Sequence, residues 1–204
     1  AYVCTCEINN IHKMRMQQVE CPCRTNIDNS EHNQERLGKF FDGTYHQNEA
    51  IVRFRGNMQD QNTVMRDPTL FRIIEASHPL LGQKVTVWPT YDFAAPIEDS
   101  LDGVTHALRT KEYELRNALY QDILERLELR KPKVVEFSRL EFENMPVSKR
   151  KIKKLIDDGM IEGWNDPRLL TLSALRRRGF DPKAIRSFVL SLGLTLAETK
   201  PPFK

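Results

Sequence analysis

Two groups of residues in this sequence have the types and spacing to do chemistry. All four cysteines of the 204-residue chain fall in Cys4-Thr5-Cys6 and Cys21-Pro22-Cys23. Four thiolates suit tetrahedral Zn²⁺, and two hairpin-like knuckles would bring the pairs together. In an intracellular protein, two close pairs bind metal more often than they form disulfides. Four protein ligands leave no open position, so a zinc held here is structural rather than catalytic. His12 is a substitute ligand for one cysteine, and four reduced thiols without metal are the alternative.

The second group is Val147-Ser148-Lys149-Arg150-Lys151, where a loop is expected to enter a helix. A lysine at such a point can neutralise phosphate charge that builds up during displacement at phosphorus, and the helix N-terminus assists. Three basic residues in four are also common on solvated surfaces. From charge alone, the solvated face is slightly favoured. Residues 146–204 hold 13 Lys and Arg against 6 Asp and Glu, while the first 145 hold 18 against 22. A basic end points to a polyanionic partner; a solvated basic face is the alternative. No Ser/His/Asp triad, Gly-rich phosphate loop or pair of catalytic carboxylates competes with this group.

These residues need elements to position them. Hydrophobic residues make up 40% and charged residues 29%, the balance of an ordinary globular protein. No run approaches the ~18 apolar residues of a membrane span, and no signal peptide pattern opens the chain. It starts without Met on Ala1-Tyr2-Val3, which reads as mid-strand, so a piece of a longer protein is expected. Residues 26–47 are polar, with a short helical stretch from Glu35 to Phe41. Ala50–Arg55, Thr69–Ile74 and Thr86–Tyr91 read as strands, with a turn at Met65–Pro68. Pro96 is expected to start a helix with Ile97, Leu101, Val104 and Leu108 on one face. A longer helix follows from Lys111 to Leu127, burying Ala118, Ile123, Leu124 and Leu127. Lys133–Phe137 is a strand. Three helices then follow: Lys149 to Gly159, Thr171 to Arg178, and one from the Asp181 cap and Pro182 to Gly193. Soft boundaries fall near residues 84 and 146.

The neighbours of the basic loop carry a close resemblance. Phe137-Ser-Arg-Leu140, Val147-Ser-Lys149, Trp164-Asn-Asp-Pro-Arg168 and Leu175-Arg-Arg-Arg-Gly-Phe180 resemble the second signature region of class I glutamyl- and glutaminyl-tRNA synthetases. Trp88-Pro-Thr-Tyr-Asp-Phe93 and Asp102–Thr110 match the same family, as does Met65-Arg-Asp-Pro-Thr-Leu-Phe-Arg-Ile73 in the insert that receives the tRNA acceptor end. The Cys4 to Cys23 segment is similar to the start of that insert in archaeal-type glutamyl enzymes.

The resemblance implies an α/β fold in three parts. Residues 1–84 would form the acceptor-binding insert with its zinc knuckle. Residues 85–145 would form the second half of a Rossmann-type nucleotide-binding fold. Residues 146–204 would hold the signature loop and a small helical subdomain. It implies ATP with Mg²⁺, glutamate and tRNA as partners, structural Zn²⁺, and a cytoplasmic enzyme without membrane contact. Val147, Ser148 and Lys149 would bind ATP, with Ser148 and Lys149 acting in catalysis and Val replacing the usual Met. Arg139 and Leu140 match a segment on adenine and ribose, and Thr110 an ATP-side position. Tyr91 would contact the amino acid; read alone, Trp88 and Tyr91 are equally core aromatics at a strand end. Arg109 would hold the γ-carboxylate of glutamate through paired hydrogen bonds, whereas read alone it is a helix-end arginine. His106 would be structural or near ATP. The first signature, of the His-Ile-Gly-His type, does not occur in the chain, and neither His78 nor His106 lies in such a motif. The β-rich anticodon-binding domain of the family is missing as well. The chain alone is therefore expected to be inactive. Alternatives are a glutaminyl-tRNA synthetase piece and a non-catalytic module that binds acceptor stems.

Overall fold

A computed structural model describes residues 1–27 and 30–200. Positions 28–29, in the polar stretch, and 201–204, the end of the expected third segment, lie outside the described residues. The chain forms two compact units, one of residues 1–107 and 113–133, the other of residues 108–112 and 134–204.

The first unit is built on an antiparallel sheet of β1 (Tyr2–Cys4), β2 (Ile51–Arg53), β3 (Thr69–Ile73) and β4 (Val87–Pro89), in that spatial order. Tyr2 pairs with Arg53, Val3 with Val52 and Cys4 with Ile51. Successive side chains on a strand point to opposite faces, and here the two faces differ in chemistry. Val3, Val52 and Leu70 face a core with Phe40, Leu119 and Ile123. Tyr2 and Cys4 join Ile11, Cys21 and Ile51 on the other side. Each fully buried Val, Leu, Ile or Phe contributes about 1.5–3 kcal/mol of hydrophobic stabilisation.

Helices close both faces. On the cysteine side, α1 (Ile8–Met16) separates the two cysteine pairs, and a 3₁₀ stretch from Pro22 to Ile27 carries Cys23. Simple hairpin knuckles were expected there. On the other side, α2 (Ser30–Phe41) runs five residues further towards the N-terminus than the expected stretch from Glu35. It brings Phe40 into the core, edge-on to Phe41.

Pro96 does not start a helix. It lies inside α3 (Tyr91–Leu101), because the strand ends at Pro89 and the chain turns at once. Thr90 fixes that turn on β3: its amide donates to the Leu70 carbonyl (2.7 Å) and its hydroxyl to the Thr69 carbonyl (2.7 Å). Tyr91 is thus the first helical residue and not the end of a strand. The expected apolar stripe also breaks, since Leu108 lies on a strand, β5 (His106–Thr110). Lys111–Arg116 is 3₁₀, so α4 covers only Asn117–Arg126. Its buried positions are Leu119, Tyr120, Ile123 and Leu124. Ala118 and Leu127, expected inside, are exposed.

Strand β6 (Lys133–Phe137) pairs with β5. In the second unit, α5 (Lys149–Asp157), α6 (Leu172–Arg177) and α7 (Pro182–Leu192) lie where caps and glycines placed them. Gly159, with φ of 69°, takes the left-handed conformation that stops α5. The Thr171 hydroxyl accepts from the Ala174 amide at 3.1 Å, and the Asp181 carboxylate accepts from the Lys183 amide at 2.8 Å. Ile152, Leu169 and Ala174 form a small core with Ile156 and Ile161. Among the described residues, no helix is long and apolar enough to cross a membrane.

Candidate functional site

The cysteine quartet is assembled. The sulfurs of Cys4, Cys6, Cys21 and Cys23 all lie within 4.8 Å of one another. Cys4 and Cys21 are 3.5 Å apart, Cys6 and Cys21 3.6 Å, and Cys6 and Cys23 3.7 Å. A tetrahedron with Zn–S bonds of ~2.3 Å has edges of about 3.8 Å, so the donor set fits that ion. Cys4 and Cys21 are buried, while Cys6 and Cys23 are half-buried. His12 stands outside the group.

The thiols divide their protons unevenly. Hydrogen bonds from Cys21 and Cys4 hold the Cys23 thiol well below its ordinary value. Hydrogen bonds to Cys21 and Cys23, with burial, push Cys4 far up. Burial and the Cys21 contact push Cys6 up to about 12. Ionising all four thiols side by side needs a cation to offset the charge.

Beside the quartet, Asp67 closes a buried network. Its carboxylate accepts from the Tyr2 hydroxyl (2.8 Å), the Gly56 amide (2.8 Å) and Arg24 Nη1 (3.1 and 3.2 Å). A side chain on Gly56 would meet the Met65 carbonyl oxygen at 1.9 Å, so only glycine fits there. Sequence reasoning saw Met65–Pro68 as a turn and missed Asp67 as a hub. The Asp-Pro step in a turn was the available signal, but nothing local shows that the carboxylate is buried.

In the second unit, a groove of about 700 Å³ runs beside the start of α5, lined by Arg139, Glu141, Val147, Ser148, Lys151 and Lys200 among others. Ser148 sits at the N-cap position with extended backbone, yet its side chain makes no capping bond. Its hydroxyl is thus not committed to closing the helix. Lys149 is the first residue of α5 and is exposed, but does not line the groove. Leu140 bridges to Thr199 and lines a different cavity.

The loop that follows α5 is braced from within. Asp166 is buried and accepts from the amides of Glu162 and Arg168, both at 3.0 Å. It also accepts from Arg168 Nε at 2.9 Å and Nη2 at 2.8 Å. These donors, the Arg168 side chain first, hold its carboxyl far below the usual carboxylate range. The Trp164–Arg168 segment is therefore structural, and its Leu169 neighbour packs on Ile152 of α5.

Thr110 and Arg139 meet at a residue that the sequence reading did not single out. Glu112 Oε1 accepts from Arg139 Nη1 at 3.0 Å. The Thr110 side chain, the Glu112 amide and Arg139 hold its carboxyl down at about 2. Arg109 is 8% exposed and sits in β5, so it is a buried strand arginine and not a helix-end one. His106 is exposed, with Nδ1 3.1 Å from the Thr105 hydroxyl. In the first unit, Tyr91 is 52% exposed, with its ring edge-on to Tyr113 at 5.5 Å. Trp88 stacks on His78 at 4.8 Å. Tyr91 is therefore no core aromatic.

Comparison with known proteins adds to this geometry. A family described as "tRNA synthetases class I (E and Q), catalytic domain" matches residues 1–200. A glutamate–tRNA ligase of Cenarchaeum symbiosum is 56% identical over 205 residues, covering 100% of this chain and 36% of that protein. One of Nitrosopumilus maritimus is 53% identical, covering 100% of this chain and 35% of that protein. A glutamine–tRNA ligase of Clostridium kluyveri is 38% identical over 204 residues, covering 98% of this chain and 36% of that protein. The chain spans about a third of the length of these relatives.

Proposed function

The chain belongs to the class I tRNA synthetases of the glutamyl and glutaminyl group, within their catalytic domain, and on that premise we propose that it is part of a glutamate–tRNA ligase. In the first step a glutamate carboxylate oxygen attacks the α-phosphorus of ATP, and the bond to pyrophosphate breaks. In the second, a ribose hydroxyl of the terminal tRNA adenosine attacks the glutamyl carbonyl, and AMP leaves. Positioning and charge stabilisation do most of the work in such a displacement.

The observation that carries this reading is the whole-chain similarity at 56% to a glutamate–tRNA ligase, against 38% to a glutamine–tRNA ligase. The groove beside α5 supports the ATP assignment, with Arg139, Val147 and Ser148 on its wall. Lys149 supplies the cation, Leu140 and Thr110 complete the nucleotide side, and Mg²⁺ on the phosphates offsets their charge. Tyr91 and Arg109 take the amino acid, Arg109 holding its γ-carboxylate. Residues 1–84 form the acceptor-end insert, 85–145 the second half of the Rossmann-type domain, and 146–204 the loop with its helical subdomain. The cysteine quartet holds a structural zinc, which cross-links the start of the insert. The protein acts in the cytoplasm on tRNA, glutamate and ATP.

Glutamate-dependent ATP–pyrophosphate exchange, measured in the protein that carries this chain, tests the assignment. Lys149→Ala should lower the rate about 10²–10³-fold, the usual cost of losing one group that stabilises developing charge. Exchange within threefold of wild type would remove Lys149 from the reaction. In the same assay Arg109→Cys should reduce the preference for glutamate over glutamine by about tenfold, since a lost partner costs roughly 1–3 kcal/mol. A wild-type protein that activates glutamine better than glutamate would favour the glutamine-ligase reading. The 204-residue chain alone, without the first signature, should show no exchange.

A further inference from the structure

Arg53 is a buried arginine whose charge lacks hydrogen-bond partners at both terminal nitrogens. Its side chain is completely buried, at 0% exposure. Nε donates to the Asp67 carbonyl at 2.9 Å, but Nη1 and Nη2 are buried without any hydrogen-bond partner. The guanidinium carbon lies 5.7 Å from the centre of the Tyr2 ring. A buried cation with two unsatisfied nitrogens is expensive unless a negative charge compensates it.

Asp67 does not supply that charge fully, because Arg24 already holds both of its carboxylate oxygens. The remaining acidic groups are the cysteines. Arg53 pairs with Tyr2 across β1 and β2, and Cys4 follows Tyr2 by two residues. The guanidinium therefore shares its sheet face with Cys4 and the cluster containing Cys21. Burial opposes its charge, while Tyr2, Cys4, Asp67 and Cys21 favour it, and the balance lies with the charged form. A divalent ion on four thiolates leaves a net charge of about −2 at the quartet. We propose that Arg53 is the buried counter-cation of the metal centre, a positioning residue that stabilises the tetrathiolate through its field.

This rests on the metal reading of the quartet, and the two can fail separately. The probe is Co²⁺ alone, titrated anaerobically into the metal-free protein. Thiolate-to-cobalt charge-transfer and tetrahedral d–d bands report binding, with Cys21→Ser as the blank. Arg53→Met should weaken Co²⁺ about 10- to 100-fold, the usual range for a group just outside the ligand shell. Arg53→Lys, which keeps the charge, should stay within a few-fold of wild type. Denaturant unfolding of the metal-free forms should find Arg53→Met no less stable than wild type, because it removes a buried cation whose Nη1 and Nη2 lack hydrogen-bond partners. Equal Co²⁺ affinity in wild type and Arg53→Met would overturn the counter-cation while leaving the metal site standing. Equal losses in Arg53→Lys and Arg53→Met would overturn it too, since charge would then be irrelevant. A wild-type protein with no bands beyond the Cys21→Ser blank would overturn the metal reading itself.

Discussion

Glu112 stays ionised far into acid because Thr110, its own amide and Arg139 all serve its charged form. Its folded value of about 2 lies below the ordinary 4.5. A depressed carboxyl contributes stability that is fully present above 4.5 and lost as pH falls through about 2. The pair is exposed, so the energy involved is small. The titration is nevertheless visible. A carboxyl-detected NMR titration should place the Glu112 midpoint near 2 in wild type and closer to 4.5 in Arg139→Ala. A midpoint unmoved by the substitution would mean that the ion pair does not hold in solution. Glu112 also marks a limit of sequence reading. Thr110 and Arg139 were found through motifs, but the carboxylate between them lies in a plain polar run. Arg53 was missed for a related reason: in an alternating strand an arginine reads as the solvated face, and nothing local shows that Tyr2 and Asp67 come to lie against it.

At the scale of elements, strands and capped helices were legible and the irregular pieces were not. Alternation marked β2; β3 and β4 were read beside the turn and proline that bound them, and the stop at Gly179 and the cap at Asp181 marked α6 and α7. Helix α1 was missed because only Ile11 of its nine residues is buried, which leaves no apolar stripe to read. Strand β5 was missed because Leu108 follows Leu101 and Val104 at helical spacing, although the chain has already turned at Gly103, just before Val104. Pro96 misled because proline usually marks the first turn of a helix. Here α3 tolerates the lost amide inside its span. The turn from Gly56 to Asp67 shows what an irregular element can depend on. Gly56→Ala would drive a methyl into the Met65 carbonyl and disturb the amide that Asp67 accepts. We expect a loss of about 1–3 kcal/mol in urea unfolding, the usual range for overpacking. A change under about 0.5 kcal/mol would show that the turn can shift freely.

For the whole molecule, the metal reading has a stability consequence. An ion that binds only the folded chain stabilises it by about 2.7 kcal/mol when present at 100 times its Kd. A strong chelator should therefore lower the unfolding midpoint, and Zn²⁺ should restore it. An unchanged midpoint, or less than half an equivalent of zinc per chain, would leave the quartet as four resting thiols. Much of this level was readable from sequence, since the order of motifs already marked the family and the two cysteine pairs the cluster that the fold assembles. The division into two units was less so, because residues 108–112 leave the first unit and residue 113 returns to it. No local pattern announces such an exchange.

The two unlike faces of the first sheet have one more consequence. Strand β1 contributes only three residues, and its side chains alternate between hydrocarbon and sulfur. Sliding it by a single position would bury Val3 among the thiols and carry Cys4 to the opposite layer. Any ion that demands all four sulfurs can then be captured only after β1 has settled in its native alignment. Metal uptake would act as a proofreading step in assembly, locking in the correct pairing and leaving misaligned chains unsealed.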